Sequence, residues 1–272
     1  MSTITVSTDP FKSFKEAQKA GWGHFAPLEA FTTMVAPHVV KHARVRAGHQ
    51  VLDVGCGTGV VAVTAARLGA RVTGLDLTPA LLERARENAQ VAGVEISWRE
   101  GDVESLPFED ARFDVVLSQF GHMFAPRPEV AIAEMLRVLK PGGTIAFATW
   151  PPEVLTGRMF VIISRYAPAP PPGVAAPPQW GDPRIVSERL GAAAKEVVFD
   201  RGALLAPALS PQHVRAMFER TAGPLVKVVE SLSASDPAKL AVLRTECEAL
   251  IAEYFQDNIV RQDYLLTRAT KI

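Results

Sequence analysis

The sequence lacks an excess of charge of either sign, because 29 Lys and Arg residues balance 29 Asp and Glu residues. A protein whose main partner is nucleic acid usually has a basic face, so this balance predicts no nucleic-acid partner. The chain has no run of about 18 apolar residues, which predicts no membrane span. Its first residues, MSTITVSTDPFKSF, also lack the basic and then apolar pattern of a secretory signal.

Cysteine is scarce as well. The two cysteines, Cys56 and Cys247, lie far apart in the sequence, and no spacing typical of zinc ligands is present. This predicts neither a disulfide framework nor a metal site. Two reduced thiols are typical of a cytoplasmic protein.

Short apolar runs alternate with helical periodicity from Gln50 onward. The runs cover residues 50–54, 71–76, 95–100, 113–118 and 144–150. Strands that alternate with helices predict an α/β fold, in which a mostly parallel sheet has helices on both faces.

The regions around this alternating segment differ from it. Residues 1–48 read as helices that close over the site, with Pro37 splitting the second one. The sheet domain is predicted to comprise residues 49–206 and 257–272, ending in a strand at 263–269. Between its two parts, residues 207–256 are predicted to form a helical cap. A segment with six prolines at 166–178 is predicted to be an extended loop.

The stretch VLDVGCGTGVV joins a strand to a helix through Gly55, Gly57 and Gly59. A dinucleotide fingerprint would place its third glycine where Val60 stands, and a triphosphate loop would end in Gly-Lys-Ser/Thr. Neither phosphate pattern fits. Asp53 precedes the turn, and a carboxylate favours a cationic or zwitterionic ligand over a phosphate.

Two further acids stand at the ends of successive strands. Asp76 ends the second strand, where a carboxylate can accept hydrogen bonds from both hydroxyls of a ribose. Asp102 follows the third strand and precedes Val103, a pair that suits the amino group and ring of an adenine. An exposed Asp at a strand end is often only a turn former, but all three acids are expected to face one crevice.

The motifs VLDVGCGTG, GLDLTPALLERAR, GDVESLPFEDARFDVV and EMLRVLKPGGTIAFATW resemble, in order and spacing, those of class I S-adenosylmethionine-dependent methyltransferases. The likeness is densest over residues 50–150. It is greatest to the small-molecule and ubiquinone/menaquinone C-methyltransferase-like group, also called methyltransferase type 11. This resemblance implies a Rossmann-like sheet of seven strands in the order 3-2-1-4-5-7-6, with S-adenosyl-L-methionine as the cofactor.

The resemblance also implies roles for individual residues. Around the methionine part of the cofactor it places Asp53, Gly55, Cys56, Gly57 and Gly59, the backbone carbonyl of Ser118, and Gln119. At the adenosine end it implies that Asp76 binds the ribose hydroxyls, that Leu77 packs on the adenine, and that Asp102 and Val103 bind it.

The residues that would contact the methyl acceptor have weaker sequence signals than those that would bind the cofactor. His122 follows the fourth strand and is a candidate general base, although a histidine in such a loop is more often simply packed or solvated. His24 is a second candidate. An apolar substrate pocket is predicted from Trp22, His24, Phe120, Met123, Phe124, Met217 and Phe218, each of which also suits an ordinary core.

These observations favour a methyltransferase that acts by in-line displacement on a small molecule, apolar or ring-bearing, such as a natural product, a quinone precursor or a lipid-like compound. The alternative is an enzyme on the same scaffold that binds the cofactor but catalyses a rearrangement or cyclisation. A binding protein that has lost activity is a third hypothesis. The acceptor, the atom methylated and the oligomeric state stay open.

Overall fold

The computed structural model describes residues 9–272, so the first eight residues of the predicted N-terminal segment lie outside it. The strands are β1 (Gln50–Val54), β2 (Arg71–Asp76), β3 (Ile96–Glu100), β4 (Phe113–Gln119), β5 (Leu139–Thr149), β6 (Ala194–Pro207), β7 (Phe255–Gln256) and β8 (Ile259–Lys271). The α-helices are α1 (Lys12–Trp22), α2 (Glu29–Thr32), α3 (Ala36–His42), α4 (Val60–Arg67), α5 (Pro79–Ala92), α6 (Pro128–Val138), α7 (Leu155–Ser164), α8 (Pro183–Leu190), α9 (Pro211–Thr221), α10 (Gly223–Ser235) and α11 (Pro237–Ala252). In the part of the chain so described, no helix is long and apolar enough to cross a membrane.

The strands form one sheet in the order β3-β2-β1-β4-β5-β8-β6, and the short β7 pairs with β8. Strands β1 to β5 are parallel, whereas β8 runs antiparallel to β5 and β6. The predicted α/β class and strand order are therefore confirmed, with the two-residue β7 as an unpredicted addition. Because the parallel strands end at the same edge, the loops that follow them meet in one crevice.

Helix starts follow the sequence signals closely. Asp182, Ser210 and Asp236 each accept a hydrogen bond from a backbone N–H in the first turn of the helix that follows, and each precedes a proline. The sequence predicts a helix that begins at Pro79 with Thr78 as its N-cap. Helix α5 does begin at Pro79, but the side chain of Thr78 does not cap it. Instead, the Thr78 N–H donates to Asp76 Oδ1 over 2.8 Å.

The C-terminal half contains more helix and strand than the sequence predicts. Strands β6 and β8 pair as far as Pro207 and Ile259, with one register shift between Lys195 and Val198, so β8 extends well beyond the predicted strand at 263–269. Asp257 and Asn258, both with positive φ, connect β7 to β8. The sequence predicts two helices between β6 and β8, which open at Ser210 and Asp236. The region holds three, because Gly223 starts α10 directly after α9. Helix α7 was also not predicted.

Helix α1 lies against α10 at two glycines. A Cβ atom on Gly223 would stand 3.0 Å from the carbonyl carbon of Gly21, and one on Gly21 would stand 3.5 Å from Gly223 Cα. The absence of side chains at both positions lets the two helix backbones approach closely. Helix α1 thereby packs against the first turn of α10.

Candidate functional site

A cavity of about 250 Å³ lies where the parallel strands end. It is lined by residues of the loops that follow β1 to β5, together with parts of α1, α7 and the cap region. Most of the predicted cofactor residues line it, namely Asp53, Gly55, Cys56, Gly57, Asp76, Leu77, Asp102, Val103 and Gln119. The structure thus brings together groups that lie as much as 66 residues apart in the sequence.

The glycine turn is shaped by close backbone contact. Gly55 has φ +61°, and a Cβ atom there would stand 2.9 Å from Gly121 Cα. Gly55 therefore meets two requirements at once, a left-handed backbone and the approach of the loop after β4. Gly59, with φ +80°, precedes α4 and faces the ring of Trp98, so it is a packing glycine at the start of the helix.

Asp76 is held by the glycine turn itself. One of its oxygens accepts a hydrogen bond from Gly57 N and the other accepts one from Thr78 N, each over 2.8 Å. Burial raises the pKa of this carboxyl, while the two backbone N–H groups partly offset that effect. Each oxygen still has a lone pair for a ligand, which fits a pair of ribose hydroxyls.

Asp53 and Gln119 each present a buried oxygen without a partner within residues 9–272. Asp53 Oδ2 accepts a hydrogen bond from Ala62 N over 3.0 Å, but Oδ1 accepts none. Gln119 donates from Nε2 to Thr32 O over 2.9 Å, and its Oε1 is unpartnered. Burial raises the pKa of Asp53 to about 8. Two buried acceptors on a cavity wall fit a ligand ammonium group, which donates hydrogen bonds and stabilises a carboxylate.

Asp102 belongs to an ion cluster that sequence reasoning missed. Lys15 Nζ, on α1, lies 2.6 Å from a carboxylate oxygen of each of Asp9, Asp102 and Glu104. Arg127 also binds Glu104, over 2.6 Å. Burial alone would lower the pKa of Lys15, but its hydrogen bonds to Asp102, Asp9 and Glu104 raise it overall.

The cluster has two consequences. The Lys15 ammonium occupies the space between three carboxylates that otherwise have a metal-like spacing. It also fastens α1 beside the predicted adenine end of the cavity. The only sequence signal for it is a lysine among the apolar positions of α1.

Some predicted residues lie elsewhere. Within the described residues, Ser118, Gly59, His24, Met123 and Met217 are not part of the cavity wall. Ser118 is fully buried, where its hydroxyl donates to Val54 O and accepts from His122 N. Met123 is a core residue with 1% exposure, and His24 is exposed to solvent.

His122 lines the cavity, but its ring is buried in an aromatic environment. The ring centroid lies 4.6 Å from that of Phe147 and 4.5 Å from that of Trp180. Among residues 9–272 neither ring nitrogen has a hydrogen-bond partner. Burial, aided by the charge of Arg189, lowers the pKa of His122 to about 3. A neutral, unpartnered imidazole in the core disfavours the general-base hypothesis.

The rest of the cavity is an aromatic compartment. We define it by eight rings and by four residues of α7 and β8 beside them: Trp22, Phe25, Phe31, Phe120, Phe124, Trp150, Phe160 and Phe218, with Leu155, Thr156, Met159 and Gln262. Several of the rings contact one another, as in the pair Trp22 and Phe124, whose centroids lie 4.5 Å apart. Trp22, Phe120, Phe124 and Phe218 were predicted as pocket residues, whereas the contributions of α2 and α7 were not.

Comparisons with known proteins agree with this geometry. The family model described as "Methyltransferase domain" matches residues 52–147. An uncharacterised protein from Mycobacterium tuberculosis strain H37Rv is 36% identical over 251 residues, which are 92% of this chain and 91% of that protein. The ubiquinone biosynthesis O-methyltransferase of Nitrosococcus oceani is 35% identical over 155 residues, which are 55% of this chain and 65% of that enzyme.

Solved structures share the fold. The YcgJ protein from Bacillus subtilis superposes with a TM-score of 0.57 at 21% identity, covering 88% of this chain and 98% of its own. Phosphoethanolamine N-methyltransferase 2 from Haemonchus contortus, in complex with S-adenosyl-L-methionine, gives a TM-score of 0.51 at 18% identity, covering 87% of this chain and 52% of its own. With the glycine turn and the strand-end acids in place, the chain belongs to the class I S-adenosyl-L-methionine-dependent methyltransferases, and S-adenosyl-L-methionine is its cofactor.

Proposed function

We propose that this protein methylates a small, uncharged molecule that is apolar or ring-bearing. The observation that supports the proposal is the division of the cavity. Its acids and Lys15 lie together at the strand-end loops and α1, and none of the residues that define the aromatic compartment is charged. A charged acceptor would lose its hydration there without gaining a counter-charge, which is unfavourable.

The residues at the other end suit the cofactor. Asp76 would bind the ribose hydroxyls, Asp102 the adenine amino group, and Asp53 with Gln119 the methionine ammonium. Bound there, S-adenosyl-L-methionine supplies a methyl group already activated by a sulfonium. Lys15 would hold α1 over the adenine end and so keep water from it.

The aromatic compartment would orient the acceptor. In-line displacement needs the nucleophile behind the methyl group at about 3 Å, and positioning of this kind supplies much of the rate. A general base is required only where the acceptor must lose a proton. Since His122 is buried with a pKa of about 3, we propose that the acceptor's own nucleophilicity drives the step.

The cap region would select the acceptor. Residues 207–256 contribute Phe218, Ala222, Pro224 and Leu225 to the cavity wall. Exchanging this segment for that of a homologue should therefore change which acceptor is methylated, while cofactor affinity stays the same. Lost cofactor affinity with unchanged acceptor choice would contradict this role.

We also propose a cytoplasmic location, because Cys56 and Cys247 are free, buried thiols.

Two measurements test the proposal. Calorimetry measures whether S-adenosyl-L-methionine binds, and a panel of phenols, quinols and lipids is then assayed for formation of S-adenosylhomocysteine. We expect binding, and turnover with an uncharged ring compound. An altered acceptor without S-adenosylhomocysteine would indicate the alternative, a rearrangement or cyclisation. No cofactor binding would indicate a protein that has lost activity.

A further inference from the structure

Gln262 is a buried polar residue in the wall of the aromatic compartment. It lies on β8 opposite Leu204 of β6, lines the cavity, and is only 7% exposed. Val260 and Tyr264, which share its face of the strand, are fully buried apolar and aromatic side chains. The packing of this face therefore does not by itself require a carboxamide.

Thr156 fixes the amide. It lies on α7, also lines the cavity, and donates from Oγ1 to Gln262 Oε1 over 3.3 Å. A carboxamide can take part in four hydrogen bonds, two as donor and two as acceptor, and Thr156 satisfies one of them. Within residues 9–272 the Gln262 side chain makes no other hydrogen bond, so its Nε2 donor is left for a ligand in the cavity.

The surroundings define what kind of group pairs with it. The residues that define the aromatic compartment include no cation to balance a carboxylate or phosphate and no anion to balance an amine. A carboxamide has both a donor and an acceptor, so it suits a hydroxyl or a carbonyl equally.

We propose that Gln262, positioned by Thr156, hydrogen-bonds a neutral hydroxyl or carbonyl group of the acceptor. This inference rests on the proposed function, and it narrows the acceptor to an uncharged ring compound with an oxygen substituent directed at β8. Gln262 is then an acceptor-binding residue, and Thr156 is a positioning residue that acts through it.

The test compares two probes that differ in one group. 1-Naphthol has a hydroxyl, whereas 1-fluoronaphthalene has a similar shape and no donor. Their dissociation constants are measured on the full chain saturated with S-adenosylhomocysteine. We expect wild type to prefer 1-naphthol by about tenfold, which corresponds to about 1.4 kcal/mol. The Gln262→Met variant, similar in volume, should bind the two probes within twofold of each other.

Two further variants make the result specific. Gln256→Met changes an exposed glutamine on β7 and should keep the wild-type preference. Thr156→Val should lose part of the preference, and it provides the test if Gln262→Met no longer binds S-adenosylhomocysteine.

The possible failures are distinguishable. A preference for 1-naphthol that survives in both Gln262→Met and Thr156→Val overturns the inference. Equal binding of the two probes to wild type also overturns it but leaves the proposed apolar acceptor class intact. Wild type that binds S-adenosylhomocysteine and neither probe contradicts the ring-bearing acceptor class, and the inference with it.

Discussion

The rings of Phe120 and Trp150 are stacked face to face, with centroids 3.7 Å apart and planes 9° apart. They directly follow the adjacent strands β4 and β5, and both rings belong to the wall of the aromatic compartment. Phe120 has φ +62°, which is rare for a bulky residue. Its N–H donates to Ala148 O over 2.9 Å, and its ring packs on the edge of Tyr264. The surrounding contacts stabilise the unfavourable positive φ of Phe120, and this backbone conformation places its ring against Trp150.

Trp150→Ala should therefore affect both stability and binding. Trp150 is 8% exposed, and the loss of a buried aromatic side chain lowers the free energy of unfolding by about 3–5 kcal/mol. Urea unfolding measures this loss. The affinity for 1-naphthol should fall as well, because one face of the stack is missing. Phe199→Ala, at a half-buried ring of β6 outside the described cavity wall, should cost stability but leave probe binding unchanged. Equal losses of binding in both variants would contradict the role of the stack.

Lys15→Met should lower both the stability of the protein and its affinity for the cofactor, because it removes the ion pair that holds α1 beside Asp102. Removing one partner from a buried ion pair leaves uncompensated charge and costs about 3 kcal/mol of unfolding free energy. The dissociation constant for S-adenosylhomocysteine should rise, because α1 is no longer fixed beside Asp102. Lys12→Met, an exposed lysine of the same helix, should change neither quantity. Unchanged cofactor affinity in Lys15→Met would show that the cluster has a purely structural role.

Binding of S-adenosyl-L-methionine should release a proton from Asp53. Burial raises its pKa to about 8 in the free protein, so the carboxyl is largely protonated at pH 7. A bound ammonium favours the ionised form, so the pKa falls on binding. Affinity should therefore rise with pH by up to about tenfold per unit below pH 8, and this gain should end above it.

The Asp53→Asn variant separates the proton released by Asp53 from any proton released by the ligand. The ligand's own amino group also titrates near pH 8, but it does so equally with both proteins. Calorimetry in buffers of different ionisation enthalpy should therefore show less proton release for the variant than for wild type. Equal proton release by the two proteins would contradict the placement of the ammonium beside Asp53.

Gly121→Ala should disrupt the glycine turn. A Cβ atom at this position would stand 2.4 Å from Gly55 O and 2.8 Å from Gly55 Cα, and neither backbone atom can move without displacing the turn. We expect binding of S-adenosylhomocysteine to be lost. Gly23→Ala is the matched control, since its nearest contact is an ordinary 3.5 Å and its φ is helical. Normal binding by Gly121→Ala would show that the two loops are not held as tightly as the geometry requires.

His122 should not titrate between pH 5 and 9. Its pKa is lowered to about 3 by burial, so the imidazole is neutral throughout this range. The NMR signal of its ring, assigned by comparison with His122→Leu, should keep one chemical shift throughout this range. A midpoint near pH 7 for His122 would revive it as a general base.

The sequence predicted that the strand-end acids would face one crevice, because this placement depends on local rules. Asp53 and Asp76 stand at strand ends, and strand ends of a parallel sheet share one edge whatever the rest of the chain does. The glycine spacing is likewise a local property of one turn. Strand order followed from the family resemblance.

The acceptor end depends on contacts between distant segments, and these have no local signature. His122 is two residues from Phe120 and both line the cavity, yet the ring of Phe120 stacks on Trp150 whereas the ring of His122 packs against Phe147 and Trp180. Lys15 meets Asp102 across 87 positions of chain, and Gln262 meets Thr156 across 106. Periodicity cannot predict such pairs, since it specifies which face of an element is buried but not which element covers it.

The close approach of Gly21 to Gly223 has a mechanical consequence. Helix α1 is fastened at one end to the loop after β3 by Lys15, and at the other end to α10 by this contact. The same helix therefore contributes Lys15 to one part of the cavity wall and Trp22 to the aromatic compartment. We expect a movement of α1 that opens one part of the cavity to displace the wall of the other part as well.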